Sequence, residues 1–359
     1  MLLLEVLRKP KHISSLRLSE WDLLIRQARS ADLLGRLWRE VELSGQVDRV
    51  PEAPKRHLLA AKFLVERQHD AVRREIGYID EAMRAAGLRA ILLKGAAYVA
   101  TGKALATGRT FSDVDILVDS DDLAAAESAL SIYGWQPVKQ SAYDEAYYRE
   151  WMHEIPPLVH VKRNTTLDLH HAILPITARI KVNTQGLREG NALVDGCTNL
   201  YVLQDADMLL HSATHLFHEG ELAHGLRDLH DLHLMFGEFG ALPSFWDHLL
   251  IRARYLGLMT PLLYAVRYSR RKFHTAFPQG FLGQLKNHPG QSSIMMDFCY
   301  DRALLPKHAS CEQFGSGLAR VMVYLRSHWL KMPLGLLVYH LSVKSLARLR
   351  AKEDKAATA

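Results

Sequence analysis

The sequence predicts an α+β fold in which a small mixed β-sheet is flanked by N-terminal and C-terminal helical regions. Three observations predict this fold. Apolar residues recur at helical spacing from residue 15 to residue 86, short apolar runs bounded by glycines follow between residues 88 and 173, and helical spacing returns from about residue 200. The chain has 359 residues and 48% hydrophobic content, so it can bury a sizeable core.

The N-terminal region, residues 1–86, is predicted to consist of helices. Its two long segments, 19–45 and 53–87, carry apolar residues at the period of an amphipathic helix. The boundary signals are Ser19 or Asp22 at the start of the first helix and Gly45 and Gly87 at the ends of the two segments.

The central region, residues 87–200, is predicted to contain the sheet. "LRAILLKG" (88–95) and "VDILVD" (114–119) are short apolar runs typical of buried strands. Residues 158–173 alternate in the manner of two strands joined by a turn, and the alanine-rich segment 120–134 is typical of a helix. We expect all β-structure to lie between the first of these runs and the last.

The C-terminal region, residues 201–359, returns to helical spacing. Its last segment combines an apolar helical stripe with four basic residues, Lys344, Arg348, Arg350 and Lys352. We interpret this segment as a packed terminal helix with a solvated basic face, and the alternative is a helix that lies on an acidic membrane surface.

Composition restricts the function classes. Lys and Arg number 45 against 39 Asp and Glu, a net charge of +6 that suits anionic substrates, nucleic acid or acidic lipid without choosing among them. The basic residues are dispersed and are not interleaved with aromatic residues, which argues against direct polynucleotide binding. The cysteines, Cys197, Cys299 and Cys311, have neither zinc-ligand nor disulfide spacing. With no export signal and no apolar run of about 18 residues, we expect a cytoplasmic protein without a membrane span.

Two acidic residues, Asp113 and Asp115, stand one residue apart in a predicted strand. Residues at i and i+2 of a strand point to the same face, so the two carboxylates repel each other unless a cation lies between them. Mg²⁺ prefers oxygen ligands and is commonly held by one or two carboxylates together with substrate phosphates. The pair therefore predicts a divalent metal site.

A third acid, Asp168, lies on another predicted strand between Leu167 and Leu169. If the two strands are neighbours, three carboxylates converge and can hold two Mg²⁺ ions, which activate an attacking hydroxyl and clamp the phosphates of the leaving group. His170 shares the predicted face of Asp168, where it would orient that carboxylate or contact the substrate, although a plain strand-end histidine is an equal alternative.

Upstream of the acids, a predicted strand runs into Lys94 and Gly95 and then into a helical stretch. A glycine at such a junction lets backbone N–H groups approach a phosphate, and the start of a helix favours negative charge. Lys94 and Arg109 would add positive charge to the same pocket.

The chain resembles a family of uncharacterised nucleotidyltransferases within the DNA polymerase beta-like superfamily. The resemblance covers roughly residues 20–300 and is carried by "LLKG", "GRTFSDVDILV", "LDLHH" and the histidine-rich stretch "LLHSATHLFHEGELAHGLRDLHDL". Its most specific part is the order Lys94-Gly95, Arg109, Asp113-x-Asp115 and Asp168-x-His170.

The resemblance implies a nucleotidyltransferase fold and transfer of a nucleoside monophosphate from an NTP to an unknown acceptor, which would be a small molecule, a protein or a tRNA. It also implies Mg²⁺ bound by Asp113, Asp115 and Asp168. Gly95 takes the place of the phosphate-loop glycine, but Ala96 stands where the wider superfamily has a serine, and the gap of 18 residues from Gly95 to Asp113 is longer than usual there.

Two alternative functions stay open at this point. The chain could be a catalytically inactive binding module that keeps the fold. It could also be a metal-dependent phosphohydrolase, since His211, His215 and His218 fall on one helical face, and Asp228 and Asp231 follow. "HSATH" lacks the glutamate of a zinc protease, and we expect these histidines to line the cleft or to pack behind the sheet.

Overall fold

The computed structural model describes residues 1–286, 288, 293–339 and 342–343. The basic residues of the predicted terminal helix, Lys344, Arg348, Arg350 and Lys352, lie outside the described residues. None of the helices in the described part of the chain combines the length and the apolar character that crossing a bilayer requires.

The N-terminal region forms helices, as predicted. They are α1 (Leu2–Arg8), α2 (Leu18–Ser30), α3 (Leu34–Leu43) and α4 (Glu52–Ala85). Gly45 and Gly87 follow the ends of α3 and α4 with φ angles of +67° and +68°. Glycine adopts this left-handed conformation without a steric penalty, which is why the two positions end the helices.

The start of α2 differs from the prediction. The helix begins at Leu18, and the carboxylate of Glu20 accepts a 2.8 Å hydrogen bond from the backbone N–H of Arg17. This bond pairs one of the donors that a helix start leaves unpaired. The boundary signal is therefore Glu20, and the prediction of Ser19 or Asp22 is wrong.

The central region forms a mixed seven-stranded sheet in the described residues. Its strands are β1 (Ala90–Leu92), β2 (Asp113–Leu117), β3 (Trp135–Pro137), β4 (Leu158–His160), β5 (Thr166–His170), β6 (Ala192–Leu193) and β7 (Leu200–Val202). The order across the sheet is β3-β4-β5-β2-β1-β7-β6. β2 pairs with β5 and β1 pairs with β7 in parallel, and the other neighbours are antiparallel. The α+β class is confirmed.

Three helices belong to the same region. They are α5 (Lys94–Ala100), α6 (Leu123–Ile132) and α7 (Ala142–Trp151). β1, β2, β4, β5 and α6 lie where the sequence predicts them. β3, β6, β7 and α7 were not predicted, and the expectation that the β-structure ends at residue 173 is wrong. Strands of two or three residues are too short to show alternation, and they form because a neighbouring strand pairs with them.

The C-terminal region is helical, as predicted. Its helices in the described residues are α8 (Asp205–His218), α9 (Gly225–Phe239), α10 (Ser244–Tyr255), α11 (Met259–Phe273), α12 (Gln279–Leu285), α13 (Ile294–Ala303) and α14 (Ser316–Lys331). The histidine-rich stretch divides into α8 and α9 because the backbone becomes extended at Glu219. β7 runs past the predicted region boundary at residue 200, and that boundary stays a prediction.

The sheet is held between helices from both ends of the chain. α4 packs against α5 and α6, while α5 also contacts β2 and α8. Ile116 in β2 and Leu92 in β1 have no exposed surface, so the centre of the sheet belongs to the main hydrophobic core. α5 thus connects the acid-bearing strand β2 with the C-terminal helices.

A buried carboxylate joins α4 to the sheet. Asp80 accepts hydrogen bonds from the backbone N–H groups of Thr198, Asn199 and Leu200 at distances of 2.8 to 3.1 Å. These residues lead into β7, which pairs with β1. Hydrogen bonds to a carboxylate contribute more to stability than bonds between neutral groups, so Asp80 fixes the start of β7 to α4.

Replacement of Asp80 by alanine is predicted to destabilise the protein. The change leaves backbone donors unpaired, and we expect the free energy of unfolding to fall by about 2 to 4 kcal/mol. Urea denaturation followed by circular dichroism measures it. The neighbouring Glu81→Ala change removes an exposed carboxylate and should alter stability by less than about 0.5 kcal/mol. Equal stability of the two variants would contradict the assigned role.

Candidate active site

Three carboxylates lie on one face of the sheet. The parallel register of β2 and β5 pairs Asp115 with Asp168 and Asp113 with Thr166. Paired residues of neighbouring strands point to the same face, and the strands are about 4.8 Å apart. The fold therefore brings together the three acids that the sequence singled out.

Asp115 is buried and ionised. One of its oxygens accepts hydrogen bonds from the Nζ of Lys94 at 2.7 Å and from the Nε2 of His170 at 3.0 Å. Burial raises the pKa of Asp115, but Lys94 and His170 outweigh burial and hold that pKa well below its usual range. Orientation of Asp168 was one of the alternatives predicted for His170, and the structure bonds His170 to Asp115 instead.

Asp168 has the opposite environment. Its Oδ1 atom is buried and has no hydrogen-bond partner among the described residues. Burial, followed by the charges of Asp115, Glu154 and Asp113, raises the pKa of Asp168 to about 7. A half-buried carboxylate surrounded by other carboxylates is electrostatically unfavourable in its ionised form.

This arrangement suits a divalent cation. Asp113, Asp115 and Asp168 offer oxygen ligands, the type that Mg²⁺ requires, and the unpaired Oδ1 of Asp168 is a free ligand atom. A cation would also remove the repulsion that raises the pKa of Asp168. The chemistry and the placement of the three acids therefore fit the metal that the sequence predicts.

Lys94 and Gly95 lie at the junction of β1 and α5. Lys94 has a φ angle of +46°, an uncommon value for a residue with a side chain, and its ammonium group contacts Asp115. Burial lowers the pKa of Lys94, but the charge of Asp115 more than offsets it, so the pKa is raised and the side chain is charged.

Gly95 has a packing requirement of its own. A Cβ atom at this position would lie 2.7 Å from the ring of Phe111, which is too close for any side chain. Ala96 is buried beside it. The phosphate-binding roles of Lys94, Gly95 and Ala96 stay predictions, and the structure adds a steric reason for the glycine.

Arg109 lies in a buried ion network. Its Nε donates to Asp231 at 2.6 Å and its Nη2 lies 3.3 Å from Asp228. Asp231 also accepts a hydrogen bond from Arg36 at 2.8 Å. Burial lowers the pKa of Arg109, but the two aspartates outweigh burial and raise it. The charge of Arg109 is thus already balanced by protein carboxylates, and its predicted contact with phosphate stays a prediction.

A cavity of about 210 Å³ lies over these residues. Its lining includes Lys94, Arg109, Asp113, Asp115, His215 and Arg227. Acidic side chains from β2 and α9 and basic side chains from α5, the loop before β2 and α9 share this lining. Such a mixture suits a ligand that carries both phosphate groups and bound cations.

The three histidines of α8 have different surroundings. His215 lines the cavity, His211 is buried, and the Nδ1 of His218 bonds to the backbone oxygen of Thr214 at 2.9 Å. Burial lowers the pKa of His211 to about 3 and that of His218 to about 4, while the charge of Lys94 and burial lower the pKa of His215. All three are therefore neutral near pH 7.

The geometry gives no support to the phosphohydrolase alternative. Asp228 and Asp231 contact arginines, as described above, and in the part of the chain that the structure describes the α8 histidines do not form a group with metal-ligand spacing. Asp231 is almost completely buried between Arg36 and Arg109. It therefore serves the ion network.

A different group does have metal-ligand spacing. His153, Glu154 and His170 each offer one ligand atom, and these atoms lie within 4.8 Å of one another. The sequence analysis missed His153 and Glu154 because "MHEI" lies in an irregular segment without helical or strand periodicity. Their proximity to His170 arises only from the pairing of this segment with the end of β5.

Aromatic residues of α7 stand beside the acids. The ring centroids of Tyr147 and Trp151 are 5.7 Å apart, and those of Tyr147 and Tyr148 are 5.9 Å apart. Burial, followed by the charges of Glu154 and Asp168, raises the pKa of Tyr148, which places Tyr148 close to the acidic cluster. α7 thus supplies a cluster of aromatic rings that the sequence did not predict.

Comparisons with known proteins identify the family. A search of curated proteins and a search of solved structures each gave no match. A model of the family described as uncharacterised nucleotidyltransferase matches residues 18–274, which include all of the residues of the site described above. The resemblance seen in the sequence is therefore confirmed, and the chain belongs to this family of uncharacterised nucleotidyltransferases.

Proposed function

We propose that the protein is an Mg²⁺-dependent nucleotidyltransferase that transfers a nucleoside monophosphate from an NTP to an acceptor hydroxyl. The single observation that carries the proposal is the pairing of Asp115 with Asp168, together with the unbonded and buried Oδ1 of Asp168. Ionised carboxylates in this position repel each other and a bound cation removes that repulsion, while family membership supports nucleotidyl transfer.

The three acids share one proposed role. Asp113, Asp115 and Asp168 would hold Mg²⁺, which supplies charge neutralisation at the phosphates and activation of the acceptor hydroxyl. Lys94 places a further positive charge beside them. Because Ala96 has no hydroxyl, contact with phosphate at this turn falls to Lys94 and to the backbone next to Gly95.

The proposed reaction is an in-line displacement at the α-phosphorus. The acceptor oxygen forms a bond to the α-phosphorus, the bond from that phosphorus to the bridging oxygen breaks, and pyrophosphate leaves with the electron pair. The acceptor proton passes to Asp168.

A binding module without activity is the weaker alternative. A chain that no longer binds a cation has no physical reason to keep three neighbouring carboxylates, one of them buried and unbonded. The cavity offers room for a ligand beside Asp113 and Asp115, and the aromatic rings of α7 offer faces on which a nucleobase stacks. Both features favour an enzyme.

Label transfer provides the direct test. The protein is incubated with Mg²⁺, each of the four NTPs and cell lysate separated into small molecules, protein and tRNA. A label at the α-phosphorus should move to one fraction, while a label at the γ-phosphorus should appear only in pyrophosphate. Transfer of the γ-label to an acceptor would instead show a kinase-type reaction and would overturn the proposal.

Asp113→Asn and Asp168→Asn are predicted to reduce label transfer by about 10³-fold or more, because each removes a charged ligand at similar volume. Asp121→Asn is the matched control, since Asp121 is an exposed acid that follows the same strand. Its transfer rate should equal that of the wild type. Full activity of both site variants would exclude the carboxylate cluster as the catalytic centre.

The metal-free protein is predicted to gain stability from Asp168→Asn. The pKa of Asp168 in the folded state is raised to about 7, so ionisation of this carboxyl destabilises the folded protein above pH 7. This destabilisation decreases as the pH falls below about 7 toward the lower pKa that Asp168 has in the unfolded chain. In the presence of EDTA, the variant should melt at a higher temperature than the wild type at pH 8, and the difference should shrink at pH 5.5.

The same thermal denaturation experiment, repeated with added metal, tests cation binding. Addition of Mg²⁺ or Mn²⁺ at pH 8 should stabilise the wild type and have little effect on the Asp168→Asn variant, because a cation binds the ionised cluster. Differential scanning fluorimetry measures both effects. A variant that melts below the wild type at pH 8 without metal would show that Asp168 is not electrostatically strained.

A further inference from the structure

A group of nitrogen and oxygen ligands lies next to the carboxylate cluster. The Oε2 of Glu154 is 3.4 Å from the Nδ1 of His170 and 3.9 Å from the Nε2 of His153. Ligands held at about 2.0 to 2.2 Å around a tetrahedral ion are separated by roughly 3.3 to 3.6 Å. Glu154 therefore stands near this spacing from both imidazoles, and the three ligand atoms all lie within 4.8 Å of one another.

The backbone holds these side chains in place. The N–H of Ile155 donates to the oxygen of Leu169 at 3.1 Å, and the N–H of His171 donates to the oxygen of His153 at 2.9 Å. Glu154 and His170 form an antiparallel bridge between these two bonds. The group is thus built from two paired segments and does not depend on flexible side chains alone.

One buried nitrogen atom of the group lacks a hydrogen bond. The side chain of His170 is only 3% exposed, and its Nδ1, which lies 3.4 Å from the Oε2 of Glu154, has no hydrogen bond within the described residues. Buried polar atoms normally have partners, so this nitrogen has a ligand position to fill.

The second nitrogen of His170 has the partner that a metal-binding histidine requires. The Nε2 of His170 lies 3.0 Å from the carboxylate of Asp115, which is ionised and accepts a hydrogen bond from the ring N–H. A histidine that binds a metal through one nitrogen commonly donates the other N–H to a carboxylate, which fixes the ring. Asp115 therefore orients the Nδ1 of His170 toward Glu154.

We propose that His153, Glu154 and His170 bind a second metal ion, of the Zn²⁺ type, separate from the Mg²⁺ site of the three aspartates. Two imidazoles and one carboxylate are the donors that Zn²⁺ and related transition metals prefer, whereas Mg²⁺ prefers oxygen. Three protein ligands leave one coordination position for water or for a substrate group.

This ion would tie α7 to the sheet. His153 and Glu154 follow α7 directly, and His170 ends β5. The ion would join the C-terminal end of α7 to β5, the strand that carries Asp168. It would also neutralise Glu154, one of the acids that face Asp168.

Metal content and calorimetry test the inference on the full chain. After treatment with EDTA, the wild type is titrated with Zn²⁺ at pH 7.5, and Co²⁺ serves as a visible-absorption probe. We expect one tight Zn²⁺ per chain and a Co²⁺ spectrum with bands typical of nitrogen and oxygen ligands. His153→Gln and Glu154→Gln should each weaken Zn²⁺ binding at least tenfold.

The controls separate this site from others. The chain has 19 histidines, so His171→Gln, at the neighbouring position of the same segment, controls for adventitious binding and should keep wild-type affinity. Asp113→Asn should also keep the tight Zn²⁺ site while losing Mg²⁺-dependent activity. Melting temperatures of the metal-free variants show whether each one folds.

Three results would overturn the inference. They are the absence of tight Zn²⁺ binding by the wild type, wild-type affinity in both folded glutamine variants, and loss of Zn²⁺ binding on Asp113→Asn with retention on His153→Gln. The last result would assign Zn²⁺ to the carboxylate cluster. If the variants fail to fold, the Co²⁺ spectrum of the wild type decides, because a spectrum of oxygen ligands alone contradicts the site.

Discussion

The parallel pairing of β2 with β5 is the constraint on which the site depends. It places Asp115, which is buried, opposite Asp168, which is partly buried, on one face of the sheet. Two carboxylates in such a place repel each other, and the surrounding residues respond unequally. Lys94 and His170 stabilise Asp115, while Asp168 is left with a buried, unbonded oxygen. The asymmetry produces one firmly ionised acid and one that titrates near neutral pH, and a divalent cation would satisfy both.

A second set of buried charges holds the surroundings of the cavity. Arg36 comes from α3, Arg109 from the loop before β2, and Asp231 from α9, so three distant parts of the chain meet in one ion network. Buried ion pairs add little net stability, but loss of one partner is costly because it leaves an unpaired charge. The network therefore acts mainly by fixing geometry. It holds the N-terminal helices, the core and α9 in one arrangement around the cavity.

His170 connects the two proposed metal sites. One of its nitrogen atoms contacts Asp115 and the other faces Glu154. The hard oxygen donors of the aspartates and the mixed donors of His153, Glu154 and His170 select different ions, so the two sites need not compete. Occupation of the site formed by His153, Glu154 and His170 would reduce the negative charge near Asp168.

The sequence by itself determined the short-range geometry. Apolar spacing located most helices and the longer strands, and the i, i+2 relation placed Asp113 and Asp115 on one face. The sequence also placed an acid, Asp168, on the strand β5. Such inferences are possible from the sequence because strand periodicity depends only on near neighbours. The tertiary structure decided the rest: the register that pairs Asp115 with Asp168, the bond from His170 to Asp115, the partners of Arg109 and the approach of His153 and Glu154. These contacts join residues far apart in the chain, and only strand pairing and helix packing bring them within reach.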